Sequence, residues 1–504
     1  MPPAEIPTLS ARHRLIVPVL AFCGAVVAVM QTLVVPLLPH IPDLTGSGPA
    51  AAGWLVTITL LTGAVFTPVL GRAGDMYGKR RVLLASLGVL TAGSVMCAVT
   101  SDIGWLIGGR ALQGAALAVI PLGISIIRDE LPPERVLPSI ALMSSTLGIG
   151  AAIGLPVAAL VVENFDWHTM FWASAALGLL DVLLVLWIVP ESPLRAAGRF
   201  DVPGTLGLAV TLVALLLAIT QGADWGWTSV PTLALLAAAL VVGVLWGRYE
   251  LRTGSPMVDL RVSARPAVLL TNVAALLIGF SFYANSLATA QMVQEPTSTG
   301  YGLGASIVVS GLCLLPGGLA MVVLSPASAR LSAAYGPRSA LALGAAVMAL
   351  GYVVRFFTSH TLWLIVAGAT VVSCGTALAY SALPALVMRA VPVTETGAAN
   401  GLNTLMRSVG QACCSAVVAA VLAHVTFLAG GRSAPTLHAY LLIFLIAAGA
   451  ALAALAAALS LPSGGRPGTT GTTGTTGTTG TTGTTGKPGT VAVTQSAPAA
   501  RETT

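Results

Sequence analysis

Pro68-Val-Leu-Gly-Arg-Ala-Gly-Asp-Met-Tyr-Gly-Lys-Arg80 separates two long apolar runs, and Pro326-Ala-Ser-Ala-Arg-Leu-Ser-Ala-Ala-Tyr-Gly-Pro-Arg338 separates two others. Tyr77-Gly78 in the first connector matches Tyr335-Gly336 in the second. The echo implies two related halves. Membrane transport folds use such repeats to place a substrate site between the halves near mid-membrane.

Working outward, apolar runs long enough to span a bilayer, about 20 residues each, begin near Leu15, Ala51, Val82, Gly104, Pro138, Trp167, Pro203, Val230, Ala267, Leu303, Ser339, Leu362, Gly401 and His438, fourteen in all. Short connectors carrying Pro, Gly, Asp or Arg make neighbouring runs antiparallel. Composition agrees: 56% of the 504 residues are apolar and 8% charged, against about 45–50% and about 25% in soluble domains. Barrel strands of about ten alternating residues do not fit these unbroken runs. The first run is too long for a cleaved signal peptide and reads as a retained helix. The net charge of +6 is scattered between apolar runs, so it reads as a topology determinant and not as a nucleic-acid surface.

That scatter orients the chain. Arg12, Arg14, Arg72, Lys79, Arg80, Arg81, Arg128, Arg135, Arg195, Arg199, Arg248, Arg252, Arg261, Arg265, Arg330, Arg338 and Arg389 fall on one side, and Arg432 alone on the other. Both termini are therefore expected in the cytoplasm, with the protein in the plasma membrane. The second connector arrives one pair of runs later than six-plus-six symmetry requires. The expected organisation is a cytoplasmic N-terminus (1–14), a six-helix bundle (15–190), an inserted helix pair (203–247), a second six-helix bundle (266–462) and a flexible cytoplasmic tail (463–504) with six Gly-Thr-Thr triplets.

Several chemistries find no support. The six cysteines lie in apolar stretches without C-x-x-C spacing, so neither a disulfide framework nor a zinc site is indicated. There is no Gly-rich loop ending in Lys-Ser or Lys-Thr and no His-Glu-x-x-His. No cofactor, metal or enzymatic role is expected. The expected partners are a small-molecule substrate, protons and the bilayer; the sequence leaves the oligomeric state open.

Three stretches carry charge or small residues where they matter. Gly71-Arg-Ala-Gly-Asp75-Met-Tyr-Gly78-Lys-Arg80-Arg81 joins turn-forming glycines to a carboxylate and basic residues near helix ends, where bonds can form in one packing of the halves and break in another. A positive-inside loop with a glycine turn is the plainer reading. Arg110-Ala-Leu-Gln113-Gly114 puts a guanidinium inside the fourth run, costing about 2.5–3.5 kcal/mol, so it needs a cavity, a partner or neighbouring carbonyls. Gly148-Ile-Gly150-Ala-Ala-Ile-Gly154-Leu-Pro156 offers close helix packing and a proline kink.

These stretches resemble loop and helix motifs of the major facilitator superfamily. Gly222-Ala-Asp-Trp-Gly-Trp227 and Asn400-Gly-Leu-Asn-Thr-Leu-Met-Arg407-Ser-Val-Gly410 extend the likeness to its fourteen-span drug:proton antiporter branch, over about residues 12 to 462. The resemblance implies an all-α polytopic membrane fold, two six-helix halves plus an inserted central helix pair. It implies secondary active, proton-coupled export of a small amphipathic compound by alternating access. It further implies that Gly71, Arg72, Asp75, Gly78, Lys79 and Arg80 form a conformational latch, that Arg110 serves proton coupling, and that Gly150, Gly154 and Pro156 form an antiporter-like packing motif. The chain departs from the pattern at Leu155, which separates Gly from Pro, and at Gln31, near where the branch commonly carries an Asp. The alternatives are a uniporter or importer of a small polar metabolite, a membrane-embedded enzyme, or a channel. The last two lack their His/Asp cluster and filter loop here.

Sorting the eighteen carboxylates onto this topology leaves Asp181 as the one deep within a span, the others having water-facing addresses. Asp181 is thus a second proton-coupling candidate, expected to be protonated, to pair with Arg110 or another intramembrane Arg, or to meet a water-filled cavity. Gln31, Gln113, Asn285, Tyr380 and Arg407 are candidate cavity residues, although helix-packing hydrogen bonds use the same residue types.

Overall fold

The structure is a computed structural model that describes residues 11–34, 37, 41–358, 361–429 and 432–462. The tail and most of the N-terminal segment lie outside the described residues. Fourteen long helices follow one another there: α1 Ala11–Thr32, α2 Pro49–Tyr77, α3 Lys79–Ala98, α4 Ile103–Glu130, α5 Pro133–Asn164, α6 His168–Ile188, α7 Val202–Trp225, α8 Val230–Glu250, α9 Pro266–Gln294, α10 Ile307–Tyr335, α11 Pro337–Thr358, α12 Leu362–Ala390, α13 Thr396–His424 and α14 Leu437–Ser460. Among the described residues, thirteen helices are long and apolar enough to cross a membrane; α5, 32 residues long with Pro138 and Pro156 inside it, completes the set. A 3-10 turn, Ala115–Ala118, interrupts α4.

Local chemistry sets the helix boundaries. Asp102, Asp201, Ser306 and Thr436 each accept an amide from the first turn of the helix they precede, satisfying a donor the helix leaves open. Gly78 (φ +112°) and Gly336 (φ +86°) make one-residue breaks between α2 and α3 and between α10 and α11, backbone that glycine adopts at little steric cost. One departure from the all-helical expectation is an antiparallel hairpin, β1 Thr426–Ala429 with β2 Arg432–Pro435, flanking Gly430-Gly431. Helix ends also run past the expected limits: α8 reaches Glu250 and α13 begins at Thr396.

Apolar burial divides into three clusters. One draws on α1 to α6, a second on α9 to α14, and a third joins α2, α7, α13 and the Met257-Val258 segment. The two large clusters share a local device. A methyl on Gly93 would stand 2.6 Å from the Gly109 carbonyl, and one on Gly344 would stand 2.6 Å from the Gly375 carbonyl. In each half, two helices therefore cross backbone to backbone. Outward, large apolar side chains stay uncovered, including Trp187 (78% exposed), Val230 (80%) and Trp363 (82%). Such a surface suits acyl chains rather than water.

Candidate functional site

The first glycine-turn connector sits where the two large clusters meet. Asp75, in the last turn of α2, is fully buried and crosses to the start of α13. The amide of Gly397 donates to its Oδ1 at 2.9 Å and the amide of Ala398 to its Oδ2 at 2.8 Å. A carboxylate here meets both the open donors and the positive end of the helix dipole. The approach needs glycine, because a methyl on Gly397 would stand 2.6 Å from the Gly71 carbonyl and 2.8 Å from Asp75 Oδ1. Lys79 Nζ lies 3.8 Å from Asp75 and 2.6 Å from Asp129 Oδ2 at the end of α4, and Ser192 donates to the same oxygen. Arg128 donates to Thr396 Oγ1 at 2.8 Å. Arg80 donates to the Leu186 carbonyl, and Glu191 faces Gly78 and accepts from the Arg80 amide. Arg72 instead lines a cavity of about 180 Å³ beside Glu395 and Ala398. This end, rich in basic residues, is closed between the halves.

Toward the middle lies a second cavity of about 220 Å³, walled by α1, α2, α4, α5, α9, α10, α12 and α13. Gln31, Tyr380 and Arg407 line it, as do Arg110, Phe282, Tyr283, Leu287 and Gln411. It adjoins a space of about 600 Å³ toward the opposite end, which shares Val56, Leu60, Tyr283 and Gln411 and adds Thr220, Gln221 and Trp225 of α7. The Arg407 guanidinium lies 4.7 Å from the Tyr380 ring centroid and donates to Thr404 at 3.2 Å. Arg110 donates to the carbonyls of Leu55 and Met30, each at 3.2 Å, and to Gln113 Oε1 at 2.6 Å.

The remaining candidates lie elsewhere. Gln113 is outside the cavity wall, held between Arg110 and Ser94. Asn285 is likewise outside it, taking Arg355 at 2.5 Å and donating to the Ala369 carbonyl. Gly150 and Gly154 are where α5 presses on α1, with Thr32 donating to the Gly150 carbonyl at 3.1 Å and Pro156 buried just after Gly154. Asp181 is fully enclosed between α6 and α1, faced by Cys23 and meeting neither Arg110 nor the central cavity; the expected pairing with Arg110 is not what the structure holds. Nor is it the only enclosed acid. Asp75 and Glu250 are 0% and 2% exposed, Asp75 because the start of α13 covers it and Glu250 because the connector after α8 folds back over it. Arg355, absent from the sequence candidates, places its guanidinium 4.2 Å over the Phe444 ring. A single Arg within an apolar run was the signal for it.

A family model described as Major Facilitator Superfamily matches residues 20–413 and 273–495. The chain belongs to the major facilitator superfamily. It is 29% identical over 416 residues to the multidrug resistance protein Stp of Mycobacterium tuberculosis (strain CDC 1551 / Oshkosh), covering 82% of this chain and 76% of that protein. It is 26% identical over 403 residues to the multidrug efflux pump LfrA of Mycolicibacterium smegmatis, covering 78% and 77%. The crystal structure of the human organic anion transporter MFSD10 (TETRAN) superposes with a TM-score of 0.64 at 16% identity, over 88% of this chain and 99% of that one, a likeness of fold. This superfamily member is a multi-pass membrane transporter that handles small molecules in a lipid bilayer.

Proposed function

We propose that the transporter exports a small amphipathic compound from the cytoplasm by alternating access, as two six-helix halves with an inserted helix pair. Both termini are cytoplasmic in a plasma membrane, and the basic end faces the cytoplasm. The observation that carries this reading is the asymmetry of the cavity. The basic end is sealed by Asp75 on the α13 amides, while the central cavity continues into the larger space at the other end. That is the outward-facing state of an exporter, with Gly71 to Arg80 as its latch. The relatives named for multidrug resistance and efflux support the direction.

Two energy sources fit. In proton antiport, Asp181 and Arg110 are the coupling candidates. Uniport is favoured by a specific observation, that among the described residues the wall of the central cavity holds no carboxylate. Proteoliposomes of the full chain, loaded with fluorescent amphipathic dyes and given an imposed pH gradient, decide between them. Dye movement that follows the gradient and is lost in Asp181→Asn supports antiport. Movement indifferent to the gradient supports uniport, and no movement against empty liposomes overturns the export reading.

A further inference from the structure

We propose that the substrate is an organic anion, its acidic group bound by Arg407 and Tyr380 and its apolar body lying against the aromatic wall; this rests on the export reading above. Among the described residues, those lining the central cavity include two guanidiniums, Arg110 and Arg407, and no Asp or Glu. Neither arginine takes part in an ion pair among the described residues. Arginine does not shed its proton. A cavity walled by two uncompensated cations in a low-dielectric surrounding therefore disfavours a cationic guest and favours an anionic one.

The two guanidiniums are not equivalent. Arg110 spends its donors on the Leu55 and Met30 carbonyls and on Gln113, so it supplies charge but few free bonds. Arg407, on α13, makes a single hydrogen bond among the described residues, to Thr404 on its own helix, and rests over the Tyr380 ring. Of five guanidinium N–H donors, most are left to the cavity. Beside it, the buried Tyr380 hydroxyl meets Gln411, and among the described residues neither its O–H nor Gln31 Nε2, across the cavity on α1, has an acceptor. These are donors waiting for an acceptor, and buried donors left unbonded are costly. A carboxylate, sulfonate or phenolate would take up the free Arg407 donors, in the fork geometry that guanidinium offers to an oxyanion, with the adjoining Tyr380 O–H as a further donor. Phe282, with its ring centroid 5.5 Å from that of Tyr380, Tyr283 and Leu287 supply an apolar surface for the rest of the molecule. An anionic cargo also accounts for Gln31 standing in the first helix without a carboxylate. Such a cargo leaves a cell with a negative interior downhill, by about 2.3 kcal/mol per charge per 100 mV, and needs no proton carrier in the cavity.

The test uses the full-length protein in lipid nanodiscs, with fluorescein as the anionic probe and ethidium as the cationic one. Fluorescein should bind at least about tenfold more tightly than ethidium. Arg407→Gln should weaken fluorescein on the order of tenfold to a hundredfold, the span expected for losing a charged hydrogen-bonding partner. Arg407→Lys, which keeps the charge and loses the fork, should fall between, and Tyr380→Phe should weaken it several-fold. These milder variants carry the test if Arg407→Gln does not fold. Tighter binding of ethidium, unchanged fluorescein affinity in Arg407→Lys and Tyr380→Phe, or no binding of fluorescein overturns the assignment. Export of ethidium by proteoliposomes in any of those cases leaves the export reading standing, so the two failures are told apart.

Discussion

The two glycine-turn connectors share a backbone and differ in what they hold. In register with Tyr77-Gly78 and Tyr335-Gly336, the place of Asp75 is taken by Ala333 and that of Lys79 by Pro337, while Arg80 is matched by Arg338. Both arginines do the same thing. Arg80 donates to the Leu186 carbonyl of α6 and Arg338 to the Leu459 carbonyl of α14, each at 2.5 Å. Each closes its own half by tying the third helix to the end of the sixth. The carboxylate and the lysine occur in the first connector only, and there the carboxylate reaches the opposite half. What the repeat preserves is the assembly of each half; what it does not preserve is the bond between halves. Charge that spans the halves can be made in one conformation and broken in the other, which a bond within one half cannot.

The largest effect is expected where the halves touch. Gly397→Ala puts a methyl 2.6 Å from the Gly71 carbonyl and 2.8 Å from Asp75 Oδ1, so the seal must part. Dye transport in proteoliposomes should fall about tenfold to a hundredfold, the cost of overpacking by 1–3 kcal/mol. Gly336→Ala meets no atom within 4 Å and bears only the strain of its backbone at φ +86° and ψ 155°, about 1–3 kcal/mol. It should lower the melting temperature slightly and leave transport within about twofold. Equal losses of transport in the two variants would break the comparison.

A smaller and matched effect is expected at the arginines. Arg80→Ala and Arg338→Ala each remove bonds to carbonyls at a helix end, about 1–2 kcal/mol of stability apiece, read as similar drops in melting temperature of the purified protein. A drop several times larger for Arg80 would show that it does more than close its own half, and would sharpen the asymmetry.

The sequence made much of this legible and hid a particular part. Apolar runs gave the helices, because in a bilayer each span must be apolar and satisfy its own backbone. The Gly71 to Arg81 stretch announced itself because glycine and paired charge between spans are rarely idle. Its partner did not: Gly397 and Ala398 contribute only backbone amides, from more than 300 residues away in the chain, and no side chain marks them. Asp129 and Glu250 looked solvent-facing because they stand at helix ends, and only the folding back of connectors encloses them. Gln113 and Asn285 show the limit from the other side. Polar residues inside spans are legible as polar, but the choice between a cavity and a neighbouring guanidinium is made by helix rotation, which no single run of sequence fixes.

The carboxylate of Asp75 is expected to hold the basic end shut across the halves. Spin labels at Tyr77 and Val393, which are 54% and 42% exposed on opposite sides of that seal, report the gap by double electron–electron resonance in a background free of native cysteines. One short-distance population is expected in the otherwise unaltered protein. In Asp75→Asn a longer-distance population should gain on the short one by about tenfold or more, the shift expected when a charge-assisted bond of 1.5–3 kcal/mol is lost. A distance distribution unchanged by Asp75→Asn would contradict it.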